Sequence, residues 1–171
     1  MDRLWRLPLW FGVAALCGCA GYRLGPVSGT TAGAKSVEIM PFSNQTMEPH
    51  LAEAVTAEMR REIQRDGTFK LATHGDADII VSGTIVNYVR IPLAFQPSDA
   101  LTVTDYSVKM MAVVTARERG SGKLLLNGQR VTGSTLVVVG SNLTSAERQA
   151  LPLLADDLAR NATSLLANPA W

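Results

Sequence analysis

The sequence predicts an α+β fold, a two-layer sandwich in which two helices pack on one face of a mainly antiparallel sheet of four or slightly more strands. Two observations predict it. Apolar and polar residues alternate along several segments, which is typical of strands that bury one face. Two other segments each carry a single apolar stripe at helical spacing. One layer of helices on one sheet face buries both stripes, and the other sheet face is left open to solvent or to a partner.

The first strand is predicted over residues 35–42 and the first helix over residues 50–66. Val37 and Ile39 share one side of the strand. Pro49 suits the first turn of the helix, and Gly67 suits its C-terminal cap. Apolar side chains recur at every fourth helical position: Leu51, Val55, Met59 and Ile63.

Four more strands are predicted over residues 68–73, 77–91, 102–117 and 124–139, with a proline-containing loop over residues 92–101. Gly120 and Gly122 suit the hairpin turn at residues 118–123, because glycine tolerates positive φ. In residues 102–117 alternation groups one apolar face: Val108, Met110, Ala112 and Val114. In residues 77–91 alternation groups Ile79, Val81, Gly83, Ile85 and Val89 on one face and Ser82, Thr84, Tyr88 and Arg90 on the other.

The last helix is predicted to open with a capping box at Thr144 and Glu147. Pro152 lies inside its pattern and predicts a kink or a second helix start. The apolar stripe consists of Leu151, Leu154, Leu158, Ala162 and Leu165.

The N-terminus has the pattern of a secretory leader. Arg3 and Arg6 precede a short apolar run over residues 7–16, which is about half the ~20 residues that a transmembrane helix needs. The run ends in Leu-Cys-Gly-Cys19, which resembles a bacterial lipobox. This resemblance implies cleavage before Cys19 and covalent diacylglycerol and N-acyl lipid on that residue. The alternative is an ordinary signal peptide with two incidental cysteines.

The predicted organisation is therefore a cleaved leader (1–18), a lipidated flexible tether (19–34) and a single domain (35–171). The tether is rich in Gly, Ser, Thr and Pro, which favours flexibility. Loss of the leader would leave 14 basic and 14 acidic side chains. A neutral body argues against a nucleic-acid binder.

The sequence offers little for catalysis or for metal binding. The two cysteines lie at the leader junction, so the domain has no disulfide framework and no thiolate site. A nucleophile needs a base within hydrogen-bond reach, and His50 and His74 lie near helix or turn ends. We predict no catalytic residues, no metal and no further cofactor, although a periplasmic enzyme stays the third and weakest reading.

Four residues of the domain are candidates for binding. Arg90 and Lys109 flank the loop at 92–101 and Arg130 lies on the last strand, so together they could form an anion site for phosphates. The alternative is ordinary solvated strand residues. Phe95, between two prolines, either contacts a partner or caps its own domain.

Motifs in a fixed order resemble the LptE family of lipopolysaccharide-assembly lipoproteins. They are CAGYRL (19–24), KSVEIMPFSNQT (35–46), ADIIVSG (77–83), YSVK (106–109), VTARE (114–118), GKLL (122–125) and LADDLAR (154–160). The resemblance implies a small sandwich of a four-stranded sheet and two helices. It also implies a non-enzymatic outer-membrane protein that plugs the β-barrel LptD one-to-one, helps assemble it and binds lipopolysaccharide through basic residues.

A second reading keeps the anchor and the domain but changes the partner. The pattern at residues 35–46 and 77–83 is shared by several families associated with the outer membrane. The chain would then be a periplasmic regulatory or accessory lipoprotein that binds another envelope protein, such as a cell-wall synthase or a secretion component. Tyr22-Arg23-Leu24, close behind Cys19, favours the LptE family, and Ala20 after the cysteine favours anchoring in the outer membrane.

Overall fold

The computed structural model describes Gly33, residues 35–139 and residues 142–168. The leader, Cys19 and all of the tether except Gly33 lie outside the described residues. The strands are β1 (Ser36–Ile39), β2 (Ser43–Asn44), β3 (Lys70–Leu71), β4 (Ile79–Gln96), β5 (Asp99–Glu118) and β6 (Leu124–Val138). The helices are α1 (Leu51–Asp66) and α2 (Leu143–Ala167).

The strands form one mixed sheet in the order β3-β1-β4-β5-β6, with β2 beside β4. The three long strands β4, β5 and β6 are antiparallel. The short strands form parallel pairs: β1 pairs with β3 and with β4, and β2 pairs with β4. These pairs are parallel because α1 returns the chain to the starting end of the sheet before β3 and β4 begin. The helices pack against this open sheet, which confirms the predicted fold class.

The core lies between the helices and one face of the sheet. All four residues of the predicted α1 stripe are buried, and so is the predicted inner face of β5. In α2 the stripe was wrong at its end, because Leu166 is buried and Leu165 is 37 % exposed. The alanines Ala155, Ala159 and Ala162 complete the buried side of α2.

A β-bulge at Val86 reverses the faces of the second half of β4. Ile85 pairs with Ala112, but Asn87 pairs with Met111, so one residue of β4 has no partner on β5. An extra residue moves every later side chain to the opposite face. Consequently Tyr88 and Arg90 lie on the helix-covered face and Val89 on the open face, and the prediction for these three residues was wrong.

The loop predicted over residues 92–101 was also wrong, because β4 continues to Gln96 and β5 begins at Asp99. Pro92 is tolerated inside β4 because the outer edge of this strand has no neighbour beyond Ile85 among the described residues, so no donor is needed there. The Asp99 carboxylate accepts hydrogen bonds from the Leu101 N–H at 3.0 Å and the Thr102 hydroxyl at 2.6 Å. These bonds stabilise residues 99–102, directly after the tight turn at residues 97–98.

The C-terminal end of α1 and the N-terminal end of α2 have ordinary caps, whereas the N-cap of α1, His50, has φ +64° and makes no side-chain capping hydrogen bond, and Pro49 lies before it rather than in the first turn. Gly67 has φ +72° and its N–H donates to the Ile63 carbonyl at 3.4 Å, which confirms the predicted cap. The capping box predicted at Thr144 was wrong: Asn142 is extended, and its side chain accepts from the Ser145 N–H at 3.3 Å. Helix α2 then runs through Pro152 without a second start. Within the described residues, neither helix has the length and apolarity that a membrane span requires.

Candidate binding surface on the open face of the sheet

The sheet face opposite the helices, here called the open face, is built by rows of residues that the strand register aligns across β4, β5 and β6. One row joins Val89, Lys109 and Ser134. The next row towards the end of β4 joins Ile91, Ser107 and Leu136. Aligned side chains on one face lie about 5 Å apart, so each row is a contiguous strip of surface.

The open face combines aliphatic side chains with positive charge. Val89 is 38 % exposed, Ile91 40 % and Leu136 55 %, and these three residues flank Lys109, whereas Val138, 63 % exposed, lies farther along the face opposite Asp105. The strands β5 and β6 add the cations Arg117 and Arg130 to this face, as well as the acid Asp105, and Glu38 of β1 lies on the same face, where it pairs with Arg119. Within the part of the chain that the structure describes, Lys109, Arg117 and Arg130 form no salt bridge. The surface therefore suits a ligand or partner that is both anionic and apolar.

Arg90 lies on the other face, where it joins three elements. Its guanidinium contacts both oxygens of Glu147 on α2, and its Nη2 lies 2.7 Å from Glu48 Oε2 in the β2–α1 loop. The same group lies 5.0 Å from the centre of the Tyr88 ring. The hydrogen bond to Glu147 is the main reason that the pKa of Arg90 lies above its usual value. Arg90 thus links β4 to α2 and to the β2–α1 loop, and the carboxylates of Glu48 and Glu147 compensate its charge.

Tyr88 completes this cluster. Burial, followed by the charge of Glu147, raises the pKa of the Tyr88 phenol to about 12. Its hydroxyl donates to Glu147 Oε1 over 3.4 Å. A cavity of about 400 Å³ opens beside Tyr88, between the first turns of α1 and α2. Glu48, Glu147 and Arg148 are charged residues of its lining, and Arg90 compensates the two glutamates.

The structure does not bring the three predicted basic residues together. Lys109 and Arg130 share the open face, but Arg130 pairs with Val113, four residues along β5 from Lys109. At the usual rise of a strand this separation is about 13 Å. Arg90 lies on the helix-covered face because of the bulge at Val86.

Phe95 lies in the hairpin tip, defined here as residues 93–103, where β4 and β5 project beyond β6. It is 50 % exposed, and its neighbours Leu93 and Leu101 are 56 % and 92 % exposed. Sequence reasoning missed these leucines because it treated the segment as a loop. It also missed Leu136 and Val138, whose only signal is the apolar run at the end of β6. Among the described residues, no group of three or more His, Cys, Asp or Glu side chains is arranged to hold a metal ion.

Comparisons with solved structures find the same fold at low sequence identity. A hypothetical protein from Chlamydia trachomatis is 12 % identical, with a TM-score of 0.58, over 80 % of this chain and 96 % of that chain. A protein from Xanthomonas campestris is 9 % identical, with a TM-score of 0.54, over 86 % of this chain and 92 % of that chain. At these identities the similarity shows the fold alone.

Of the two sequence comparisons, one finds no match and the other finds a family. No curated protein matches the chain. The family model for LptE, described as lipopolysaccharide assembly, matches residues 34–165, which span the whole described sheet, α1 and all but the last two residues of α2. The chain belongs to the LptE family of lipopolysaccharide-assembly proteins.

Proposed function

We propose that this protein is an outer-membrane lipoprotein that plugs the lipopolysaccharide-export barrel LptD, helps assemble it and assists delivery of lipopolysaccharide to the outer leaflet. Membership of the LptE family supports lipopolysaccharide assembly as the general role. The observation that carries the more specific role is the open face, where exposed aliphatic side chains flank Lys109 and two further cations, Arg117 and Arg130, lie on the same surface. We further propose that the protein acts by binding alone, without turnover.

Lipopolysaccharide presents phosphates next to acyl chains, and the open face offers a partner for each. Lys109 and Arg130 would form charge-assisted hydrogen bonds with phosphate oxygens. The aliphatic side chains beside Lys109, such as Val89 and Leu136, would cover part of the acyl chains and remove apolar area from water. Binding of phosphate by Arg90 would have to compete with Glu48 and Glu147.

The double substitution Lys109→Ala and Arg130→Ala is expected to weaken binding of purified lipopolysaccharide by about tenfold or more. Each charge-assisted contact contributes about 1.5–3 kcal/mol, part of which solvent screening removes at an exposed site. Titration of fluorescent lipopolysaccharide into the protein measures the effect. Binding equal to that of the wild type would remove both residues from the site.

Arg90→Ala is the informative comparison for that titration. It is expected to lower the free energy of unfolding by about 1–2 kcal/mol, because Glu147, whose side chain is only 11 % exposed, loses its partner. The double variant on the open face is expected to unfold like the wild type, since neither residue has a salt-bridge partner within the described part of the chain. If Arg90→Ala weakens lipopolysaccharide binding at unchanged stability, Arg90 contacts the ligand, as the sequence analysis predicted.

The hairpin tip is the part of the domain that we propose to contact the barrel. Phe95, Leu93 and Leu101 are exposed, and between Ile91 and Thr104 the chain carries one ionisable side chain, Asp99. Exposed apolar groups of this kind are typical of interaction sites. An apolar groove of the partner would bury them, and Phe95 would serve as the central aromatic anchor.

We propose that Cys19 carries the lipid anchor and that residues 19–34 connect it to the domain. Cys19→Ser is therefore expected to move the protein from the membrane fraction to the soluble fraction of the envelope without changing its melting temperature. Detergent-phase partitioning measures this shift. Retention of the variant in the detergent phase would contradict lipidation at this residue.

The experiment that tests the proposed function is affinity purification of the tagged chain from detergent-solubilised envelopes, followed by identification and quantification of its partners. One large outer-membrane barrel in a one-to-one ratio is the expected result. A cell-wall synthase or a secretion component in its place would favour the regulatory or accessory role. Recovery of the chain alone would contradict both.

A further inference from the structure

The strand β6 ends the sheet on one side, so its outer edge has no neighbouring strand within the described residues. It is fifteen residues long. The unpaired N–H and C=O groups of such an edge are a template for pairing with a strand of another molecule. Proteins with long edges therefore need a feature that prevents this pairing.

Two side chains of α2 occupy the middle of this edge. Asp157 Oδ2 accepts a hydrogen bond from the Ser134 N–H at 2.8 Å, and Asn161 Nδ2 donates to the Thr132 carbonyl at 2.9 Å. Asp157 and Asn161 are four residues apart, so they lie on the same side of the helix. Together they supply one acceptor and one donor, which are the groups that an added strand would provide.

Gly133 explains how α2 comes close enough for these contacts. A β carbon at Gly133 would lie 2.6 Å from the Leu154 carbonyl oxygen and 2.7 Å from the Leu158 nitrogen. Only glycine permits this approach of helix backbone to strand backbone. The approach sets Asp157 and Asn161, which follow Leu154 and Leu158 in α2, beside the flanking residues Thr132 and Ser134.

We propose that Asp157 and Asn161 block strand addition at the β6 edge and thereby keep two copies of this chain from pairing through β6. A second copy is the relevant partner because every molecule carries the same edge, and a two-fold axis brings a surface against itself. Antiparallel pairing centred on Gly133 would set Thr132 of each copy opposite Ser134 of the other. Those are the two residues whose backbone groups α2 already occupies. This inference rests on the fold and is independent of the proposed function.

The test is the self-association of the full chain in detergent, measured by sedimentation over a range of concentrations. The double variant Asp157→Ala and Asn161→Ala is expected to dimerise at least tenfold more tightly than the wild type. At concentrations where the double variant is still monomeric, hydrogen exchange at its Ser134 amide is expected to be faster than in the wild type, and dimerisation is expected to slow it again. Asp156→Ala is the matched control: it removes a neighbouring acid whose carboxylate pairs with Arg65 and Arg160 instead of with the backbone of β6.

A third substitution tests whether any dimer forms through the edge. Adding Ser134→Pro to the double variant removes the outward N–H, a change that edge strands tolerate, and is expected to restore the monomer. The proposal is overturned if the double variant stays monomeric, if Asp156→Ala dimerises equally, or if the dimer survives Ser134→Pro. If the double variant does not fold, Asp157→Ala alone exposes the same N–H and is judged by the same outcomes.

Discussion

Replacement of Gly83 by valine is expected to lower the free energy of unfolding by about 3 kcal/mol, the upper part of the usual range for overpacking a core. A β carbon at Gly83 would lie 2.2 Å from Cε1 of Phe42 and 2.7 Å from its Cδ1 and Cζ. The Phe42 ring has little room to move because the residue is only 5 % exposed. Its backbone is also held, since the Phe42 N–H donates to the Thr56 hydroxyl at 2.9 Å.

Urea denaturation measures this effect, and Gly120→Val is the matched control. Gly120 lies in the β5–β6 turn without a positive φ, and a β carbon added there would meet no heavy atom within 4 Å. Its substitution is expected to change stability by less than about 0.5 kcal/mol. Gly83→Val combined with Phe42→Leu is expected to recover part of the loss, because the smaller side chain makes room. Wild-type stability of Gly83→Val would show that the ring moves aside freely.

The sequence made Gly83 conspicuous, but it did not identify the neighbour. A glycine within an alternating apolar strand indicates a close approach by some other group. Periodicity also predicted which residues of α1 and β5 are buried, because burial on one side is what produces the period. That Phe42 fills the space over Gly83 depends on how β1, α1 and β4 meet, and no local pattern records this arrangement.

The candidate site was less predictable than the core, and one residue explains much of the difference. The bulge at Val86 has no sequence signal, because alternation continues through residues 85–89 with apolar residues at both Ile85 and Val89. Missing it placed Arg90 on the wrong face of β4. The prolines at 92 and 97 suggested a loop, whereas Pro92 lies at an unpaired edge where a strand does not need its N–H.

Contacts between a side chain and the backbone of a distant element were also beyond sequence reasoning. In the sequence, Asp156 and Asp157 are two adjacent acids on a predicted helix, and no pattern distinguishes their contacts. In the structure Asp156 pairs with Arg65 and Arg160, whereas Asp157 accepts from the Ser134 N–H. The difference arises from the position of α2 on β6, which Gly133 sets.

Replacement of Gly133 by alanine is accordingly expected to lower the free energy of unfolding by about 2–3 kcal/mol, even though it adds only one methyl group. The atoms that the methyl group would meet are Leu154 O, Leu158 N and Leu158 Cβ, at 2.6–2.7 Å. These belong to the helix backbone or are fixed to it, so no rotation of a side chain can relieve the clash. Helix α2 has to move away from β6 as a whole.

The single variants Gly83→Ala and Gly133→Ala therefore distinguish two kinds of close packing, one against a side chain and one against a helix backbone. At Gly83 the obstacle is the far end of the Phe42 side chain, so Gly83→Ala is expected to cost less than Gly133→Ala, and Phe42→Leu is expected to relieve it. At Gly133 a shift of α2 should also weaken the contact between Asp157 and the Ser134 N–H. Hydrogen exchange at Ser134 is then expected to accelerate in Gly133→Ala and to stay unchanged in Gly83→Ala. Equal exchange rates at Ser134 in the two variants would mean that Asp157 still accepts the hydrogen bond from the Ser134 N–H without the close approach that Gly133 permits.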